Sequence, residues 1–446
     1  MNITLLTPYT GSNLGDAAIQ DAVIDNIRKR YPEAVICMIS INPTVTTKLH
    51  HVPSFPITPF GISHYAPRSS IVKISYQAKS IPTSNNPGFL NSAKAIIRSV
   101  PLFYKFLKLS QNIINQIFNV PKQIYQEIIH IAKSYKFLKG IDLLIVSGGG
   151  QLDDYWGGPW GHPYALLKWG LIAKARSSNY IFLSVGTCAL ESKLSTIFIK
   201  QALRLADYRS YRDNTSKKLL DRIDFTHNDL VYPDLAFSYI NREMLKLQGT
   251  PHDGKVVGIS PIAYLSKCGW FGDDIAAYEK YINTITKFIS ILIKNSYSII
   301  LFSTDSPDRK IASDIVDSLE KYHKLELAGK VSLAYTDTPE KLFDQLCNVN
   351  YVVASRLHGI LLSNLCCLPV LAISYDRKVD TYMTDAGFKD YLLKISNTDI
   401  NLLLNTFESL TNNSELIKSH LIANNRSHTS ELKHQYDFVL GGALNA

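Results

Sequence analysis

The chain lacks paired cysteines. Its six cysteines, at positions 37, 188, 268, 347, 366 and 367, form no CxxC pair and share no metal-like spacing with histidine. That pattern argues against a zinc ribbon or a disulfide framework, and predicts buried thiols in a reducing compartment and no bound metal. No run reaches the roughly 18 apolar residues of a membrane-spanning helix. The sequence opens on Met1-Asn-Ile-Thr-Leu-Leu, with no basic leader, so a cytoplasmic protein is expected. Acid is nearly missing from one stretch. Between Tyr65 and Lys139, Glu127 faces eleven lysines and arginines. The whole chain carries +9, so everything outside that stretch is close to neutral. A protein that binds nucleic acid over its whole surface would not concentrate its charge this way, and no nucleic-acid partner is expected.

What is present is a globular pattern. The 446 residues are 46% hydrophobic and 19% charged, enough for two domains rather than one. Short apolar runs alternate with helical periodicity. Ile3 to Thr7 reads as a strand, followed by the turn-rich loop Pro8-Tyr-Thr-Gly-Ser-Asn-Leu-Gly-Asp16. Ile19, Val23, Ile27 and Tyr31 then recur every four residues, which predicts a helix from about Ala17. Asp16 stands where an N-cap belongs, or on a glycine-containing loop that holds a ligand over that helix. Two successive strand–helix series of similar size predict two doubly wound, Rossmann-like domains facing across a cleft. The expected boundaries are 1–247, with an insert at about 53–139, then 248–396, then a helical tail over 397–446 that packs back on the domain junction.

The basic insert interrupts the alternation. Its second part, 102–137, places Phe103, Phe106, Leu107, Ile113, Ile117, Phe118, Ile124, Tyr125 and Ile128 among lysines, a pattern of amphipathic helices. Two readings stand. The apolar face packs on the body, or a basic amphipathic surface rests on an anionic membrane leaflet.

Chemistry-bearing residues collect at strand ends. Tyr351 to Ala354 and Val370 to Ser374 read as buried strands, with Ser355, Arg356 and His358 packed just beyond the first. A fixed cation beside a side chain that titrates near neutrality suits anion handling and proton movement. Arg212 repeats the arrangement after the strand Tyr208 to Tyr211. The strand Asp142 to Ser147 ends in Gly148-Gly149-Gly150, which lets backbone approach a ligand closely. The aromatic loop that follows carries Trp156, Trp160, His162 and Tyr164, side chains suited either to a sugar ring or to a core.

The ordered set Asn13-Leu-Gly-Asp16, Gly148-Gly-Gly-Gln-Leu-Asp153, Ser184-Val-Gly, Arg212-Asp-Asn-Thr-Ser216, Pro233-Asp-Leu-Ala, Ser355-Arg-Leu-His358 and Tyr375-Asp-Arg-Lys378 resembles the polysaccharide pyruvyl transferase family. The resemblance spans roughly residues 1–50 and 140–390. It implies a fold similar to that of B-type glycosyltransferases. It also implies transfer of the enolpyruvyl unit of phosphoenolpyruvate to a sugar as a pyruvate ketal, with phosphate released and no cofactor. The implied acceptor is a surface polysaccharide or its lipid-linked precursor. Arg356 and His358 are the expected catalytic pair, with His358 protonating the enol carbon. Arg212, Asp16, Gly148, Gly149, Gly150, His162 and Lys378 are the expected substrate contacts. A nucleotide-sugar glycosyltransferase on the same scaffold, or a non-catalytic glycan-binding protein, would share much of this pattern.

Overall fold

The computed structural model describes residues 1–61, 120–188, 190–239, 255–264, 274–323 and 329–441. Two sheets carry it. The first comprises β1 (Asn2–Leu6), β2 (Val35–Ser40), β3 (Ser54–Pro56), β4 (Leu143–Ser147), β5 (Gly150–Leu152), β6 (Asn179–Thr187), β7 (Tyr208–Tyr211) and β8 (Leu230–Val231). Its order is β3-β2-β1-β4-β6-β7-β8, with β5 beside β6. The second comprises β9 (Val256–Ser260), β10 (Ser298–Leu301), β11 (Val331–Leu333), β12 (Tyr351–Ala354), β13 (Val370–Ser374) and β14 (Leu392–Lys394). Its order is β11-β10-β9-β12-β13-β14. The strands pair in parallel in both sheets. These are two parallel-sheet α/β domains.

The strand order explains where ligands can enter. In the first sheet the chain steps outward from β1 to β3, then resumes on the other side at β4. The second sheet repeats this around β9 and β12. At each reversal the loops leaving two neighbouring strands diverge, and a crevice opens at their carboxyl ends. The central strands of a parallel sheet are covered on both faces, so they read as apolar runs rather than alternating. Leu143–Ser147 and Val370–Ser374 are buried at every position.

The first helix (Leu14–Arg30) begins three residues before the periodicity alone suggests. The Asn13 side chain is the reason: its Oδ1 accepts from the backbone N–H of Gly15 at 2.9 Å and of Asp16 at 3.2 Å. Asp16 is therefore not the cap. It sits inside the first turn. The N–H of Leu14 reaches across to the carbonyl of Thr304 in the second domain at 2.9 Å, so the start of this helix is part of the domain junction.

Of the insert expected at 53–139, residues 53–61 are described and include β3 of the first sheet, and residues 120–137 are described as a helix. Its inner face is His130, Ser134 and the following Leu138, all buried. His130 lies edge-on to Trp169, with centroids 6.0 Å apart. The buried Lys168 ammonium bonds to Glu127 at 2.8 Å and to the Ile57 carbonyl at 3.2 Å. Of the two readings of the apolar face, packing on the body does not hold for Ile124, Tyr125 and Ile128, which point into solvent. The helix docks through a polar cluster and leaves its aliphatic stripe outside. The earlier apolar residues of the insert, Phe103 to Phe118, lie outside the described residues.

The last helix (Ser414–Leu440) returns over both domains. Asn425 donates to the carbonyls of Asn364 and Leu365 at 3.0 and 3.2 Å. Ten residues on, the Gln435 side chain accepts from Ser184 Oγ at 3.0 Å and donates to Ser210 Oγ at 2.6 Å. Among the described residues no helix is long and apolar enough to cross a membrane.

Candidate active site

A cleft of about 710 Å³ opens where the two strand-order reversals face each other. Its lining includes Asp16, Gly148, Gly149, Gly150, Arg212, Arg356, His358 and Lys378. The structure thus brings together eight of the nine site residues expected from the sequence. His162 is the exception. It is fully buried behind the cleft, its Nε2 lies 2.9 Å from Gln151 Oε1, and burial pushes its pKa down to about 3. It positions the Gln151 side chain instead of touching a substrate. Trp160 and Tyr164 also turn away and pack on Phe198. Trp156 and Tyr155 are the aromatics that line the cleft.

The first wall is built on backbone that only glycine enters easily. Gly148 and Gly149 adopt φ of 52° and 67°, turning the chain sharply at the end of β4. The N–H of Gly186 donates to the Gly149 carbonyl at 2.7 Å. Gly186 itself makes room for an arginine, since a Cβ there would fall 2.7 Å from Arg212 Nη2. β6 runs on through Gly186 to Thr187 rather than stopping at it.

Neither arginine is a bare cation. Arg212 lies 3.2 Å from Asp234 through Nη1 and 3.5 Å from Asp213 through Nε. Arg356 is held by both oxygens of Asp308, at 3.0 Å through Nη2 and more closely through Nε, and by Asp305 at 3.3 Å. Burial works against each guanidinium charge, and these carboxylates more than restore it. Asp308 is itself buried, and burial holds its pKa above the ordinary value despite Arg356. Such pairs fix the planar forks in orientation at the expense of net positive charge. Attraction for an anion therefore falls also on Lys378, on Arg377, and on the N–H groups that start the helix Leu357–Leu365.

Arg356 is the N-cap residue of that helix, which sets His358 in its first turn facing the other domain. The imidazole presses on the backbone of Gly15, where a Cβ would stand 1.9 Å from His358 Cγ. Its Nε2 lies 3.9 Å from Asp234 Oδ2 and makes no hydrogen bond among the described residues. Burial lowers its pKa to about 4; Asp234 opposes this, while Arg212, Lys378 and Arg356 add to it. At neutral pH the imidazole is therefore held uncharged.

Three carboxylates of the cleft region went unread in the sequence. Asp234 belongs to the Pro233-Asp-Leu-Ala motif and ties Arg212 to His358. Asp305 and Asp308 follow β10 at the end of a strand, the same signal that marks both arginines. Cys188, expected to be buried, is exposed and lines the cleft. Among the described residues no group of three or more metal-binding side chains is assembled.

The family model for polysaccharide pyruvyl transferase matches residues 13–377. The chain belongs to this family. A search of curated proteins found no match. Among solved structures, the UDP-GlcNAc 2-epimerase of Neisseria meningitidis bound to UDP-GlcNAc is similar over 100% of both chains, at 12% identity and TM-score 0.52. The UDP-GlcNAc 2-epimerase of Methanocaldococcus jannaschii is similar over 92% of both chains, at 10% identity and TM-score 0.52. The Anabaena HepE protein in complex with UDP and glucose is similar over 99% of both chains, at 14% identity and TM-score 0.51. At such identities these likenesses speak for the two-domain, GT-B-like fold alone. Family membership makes the chain a transferase of polysaccharide biosynthesis.

Proposed function

We propose that the protein transfers the enolpyruvyl unit of phosphoenolpyruvate to a sugar as a pyruvate ketal and releases phosphate. The observation that carries this is the placing of Arg212 and Arg356. They rise from the ends of β7 and β12 in different domains, yet line one cleft, with the His358 imidazole in the electrostatic field of both. The donor carries a carboxylate and a phosphate, and planar guanidinium forks suit both groups. The two reacting hydroxyls belong to a sugar, for which Trp156, Tyr155 and Gln151 offer a face and hydrogen-bonding edges. The donor supplies the reactive group, so no cofactor enters the reaction.

Purified protein incubated with phosphoenolpyruvate and a panel of glycan precursors should release phosphate and add a pyruvyl ketal mass to one acceptor. Absence of both across a broad panel, with no phosphoenolpyruvate binding, would overturn the reading. A rival on the same fold is nucleotide-sugar chemistry, since similar solved structures hold UDP-GlcNAc in one case and UDP and glucose in another. Protection against heat by a UDP-sugar and not by phosphoenolpyruvate would support that rival.

The acceptor we favour is a lipid-linked precursor at the inner face of a membrane. The outer face of the 120–137 helix supports this, because Ile124, Tyr125 and Ile128 are exposed there beside Lys122, Lys133 and Lys136. Binding to vesicles of anionic lipid should fall as salt rises from 0.05 to 0.5 M, since exposed charges are screened within about 10 Å at 0.1 M. Replacing Ile124, Tyr125 and Ile128 by serine should abolish it. Unchanged vesicle binding in that triple variant would sink the membrane contact and leave the transfer chemistry standing.

A further inference from the structure

We propose that Asp16 is the proton donor to the methylene carbon of the enolpyruvyl unit, and that His358 takes the proton of the attacking sugar hydroxyl. The inference rests on the transfer reaction proposed above and assigns its two proton-moving groups. Six aspartates line the cleft: 16, 153, 154, 213, 305 and 376. Five of them serve the fold. Asp153 accepts from the Tyr155 N–H, Asp154 from those of Glu191 and Ser192, and Asp213 caps the helix Asn214–Asp221. Asp305 holds Arg356, and Asp376 accepts from the Lys378 N–H. The Asp16 carboxyl alone makes no hydrogen bond or ion pair among the described residues.

Its position fits the assignment. Gly15, the residue before it, lies directly under the His358 ring. On its other side, Asp16 Oδ1 stands 3.4 Å from the place a Cβ on Gly149 would occupy. The carboxyl and the imidazole both line the cleft, from the starts of two helices in different domains.

The surroundings push the two groups apart, which is how acid and base are separated at one pH. Burial raises the Asp16 carboxyl to about 7, helped by Asp305 and Asp234 and opposed by Lys378 and Arg212. A helix start favours the anion, so burial and the neighbouring carboxylates outweigh that effect. His358 is held at about 4. At neutral pH the carboxyl carries a proton in a large fraction of molecules, and the imidazole carries none. A bound anionic donor raises both values and keeps their order.

The steps balance. The first sugar oxygen bonds to C2 of the donor, the double-bond electron pair takes the Asp16 proton at C3, and the hydroxyl proton passes to His358. The C2–O bond to phosphate then breaks, its electron pair leaves with the phosphate, and His358 returns its proton to that group. The second hydroxyl bonds to the oxocarbenium-like C2 so formed and gives its proton to the Asp16 carboxylate. Both side chains end as they began.

The test is the pH profile of phosphate release, with kcat, by the wild type, Asp16→Asn, Asp16→Glu and His358→Ala, each checked for thermal stability and for protection by phosphoenolpyruvate. Wild-type activity should fall below about pH 4, where His358 charges, and above about pH 7, where Asp16 ionises. Asp16→Asn should bind phosphoenolpyruvate as the wild type does and lose about 10³-fold in kcat. Asp16→Glu should restore part of the activity with a displaced alkaline limb. His358→Ala should lose the acidic limb. In heavy water the ketal methyl should carry one deuterium. If Asp16→Asn works within tenfold of the wild type, or keeps the alkaline limb, the assignment is overturned. If the wild type releases no phosphate with any acceptor, the transfer reading fails and this assignment falls with it.

Discussion

A Gly15→Ala protein is expected to keep both sheets and lose about 10²-fold in kcat/KM for phosphate release, because misplacing a reacting group by about 1 Å costs that much. The added methyl would stand 1.9, 2.0 and 2.2 Å from Cγ, Nδ1 and Cβ of His358. No van der Waals contact is that short, so one partner has to leave. The Leu357–Leu365 helix cannot retreat, since eight of its nine residues are buried. Two outcomes are open to the molecule. The imidazole swings away from Nε2's place beside Asp234, or the start of the first helix lifts and breaks the bond from Leu14 to Thr304. Both remove His358 from the cleft geometry. Alanine is intrinsically the better helix former, by about 1 kcal/mol, so helix content should not fall. Circular dichroism, thermal unfolding and steady-state kinetics check this together. Normal kinetics would mean that the ring and the glycine do not meet in the working enzyme.

Arg212→Ala is expected to harm both stability and activity, and the two effects can be separated. Removing the guanidinium leaves Asp234 buried, with its side chain 3% exposed and the N–H of Ala236 as its remaining hydrogen-bond donor among the described residues. Stranding one charge of a buried pair costs about 3–5 kcal/mol. The loss of a fixed cation also removes one of the forks that would hold the donor. A second change, Asp234→Asn, should return most of the lost thermal stability, since an amide needs no counter-charge. It should return none of the phosphate release. If Arg212→Ala alone melts like the wild type, Asp234 is less dependent on Arg212 than the geometry indicates. If the double variant is active, Arg212 does not bind the donor.

Much of this architecture was legible because parallel strands buried on both faces leave unbroken apolar runs. Val256–Ser260, Tyr351–Ala354 and Val370–Ser374 begin and end where those runs do. Arg212, Arg356 and His358 stood out because they follow such runs directly. Their partners did not. Asp234 meets Arg212 from 22 residues away, and Asp308 meets Arg356 from 48, distances over which spacing carries no information. The ordinary histidine pKa of about 6.5 gave no sign of the burial that lowers that of His358 to about 4 in the fold. Asn13 escaped notice because Asp16 and Asn13 are both good capping residues, and backbone geometry chose between them. The stripe at Ile124, Tyr125 and Ile128 stayed open between two readings because periodicity identifies an apolar face without saying what it meets.

The last helix also bears on how the protein is made. Gln435 completes the hydrogen bonding of Ser184 and Ser210, which precede it by 251 and 225 residues. Asp437 secures Arg30, 407 residues upstream. During synthesis from the amino terminus, the first sheet has all its strands long before these partners emerge. Its buried serines then wait for the whole second domain to be translated. The domain made first is the one finished last, and a nascent chain stalled before residue 414 should present that unfinished surface to chaperones.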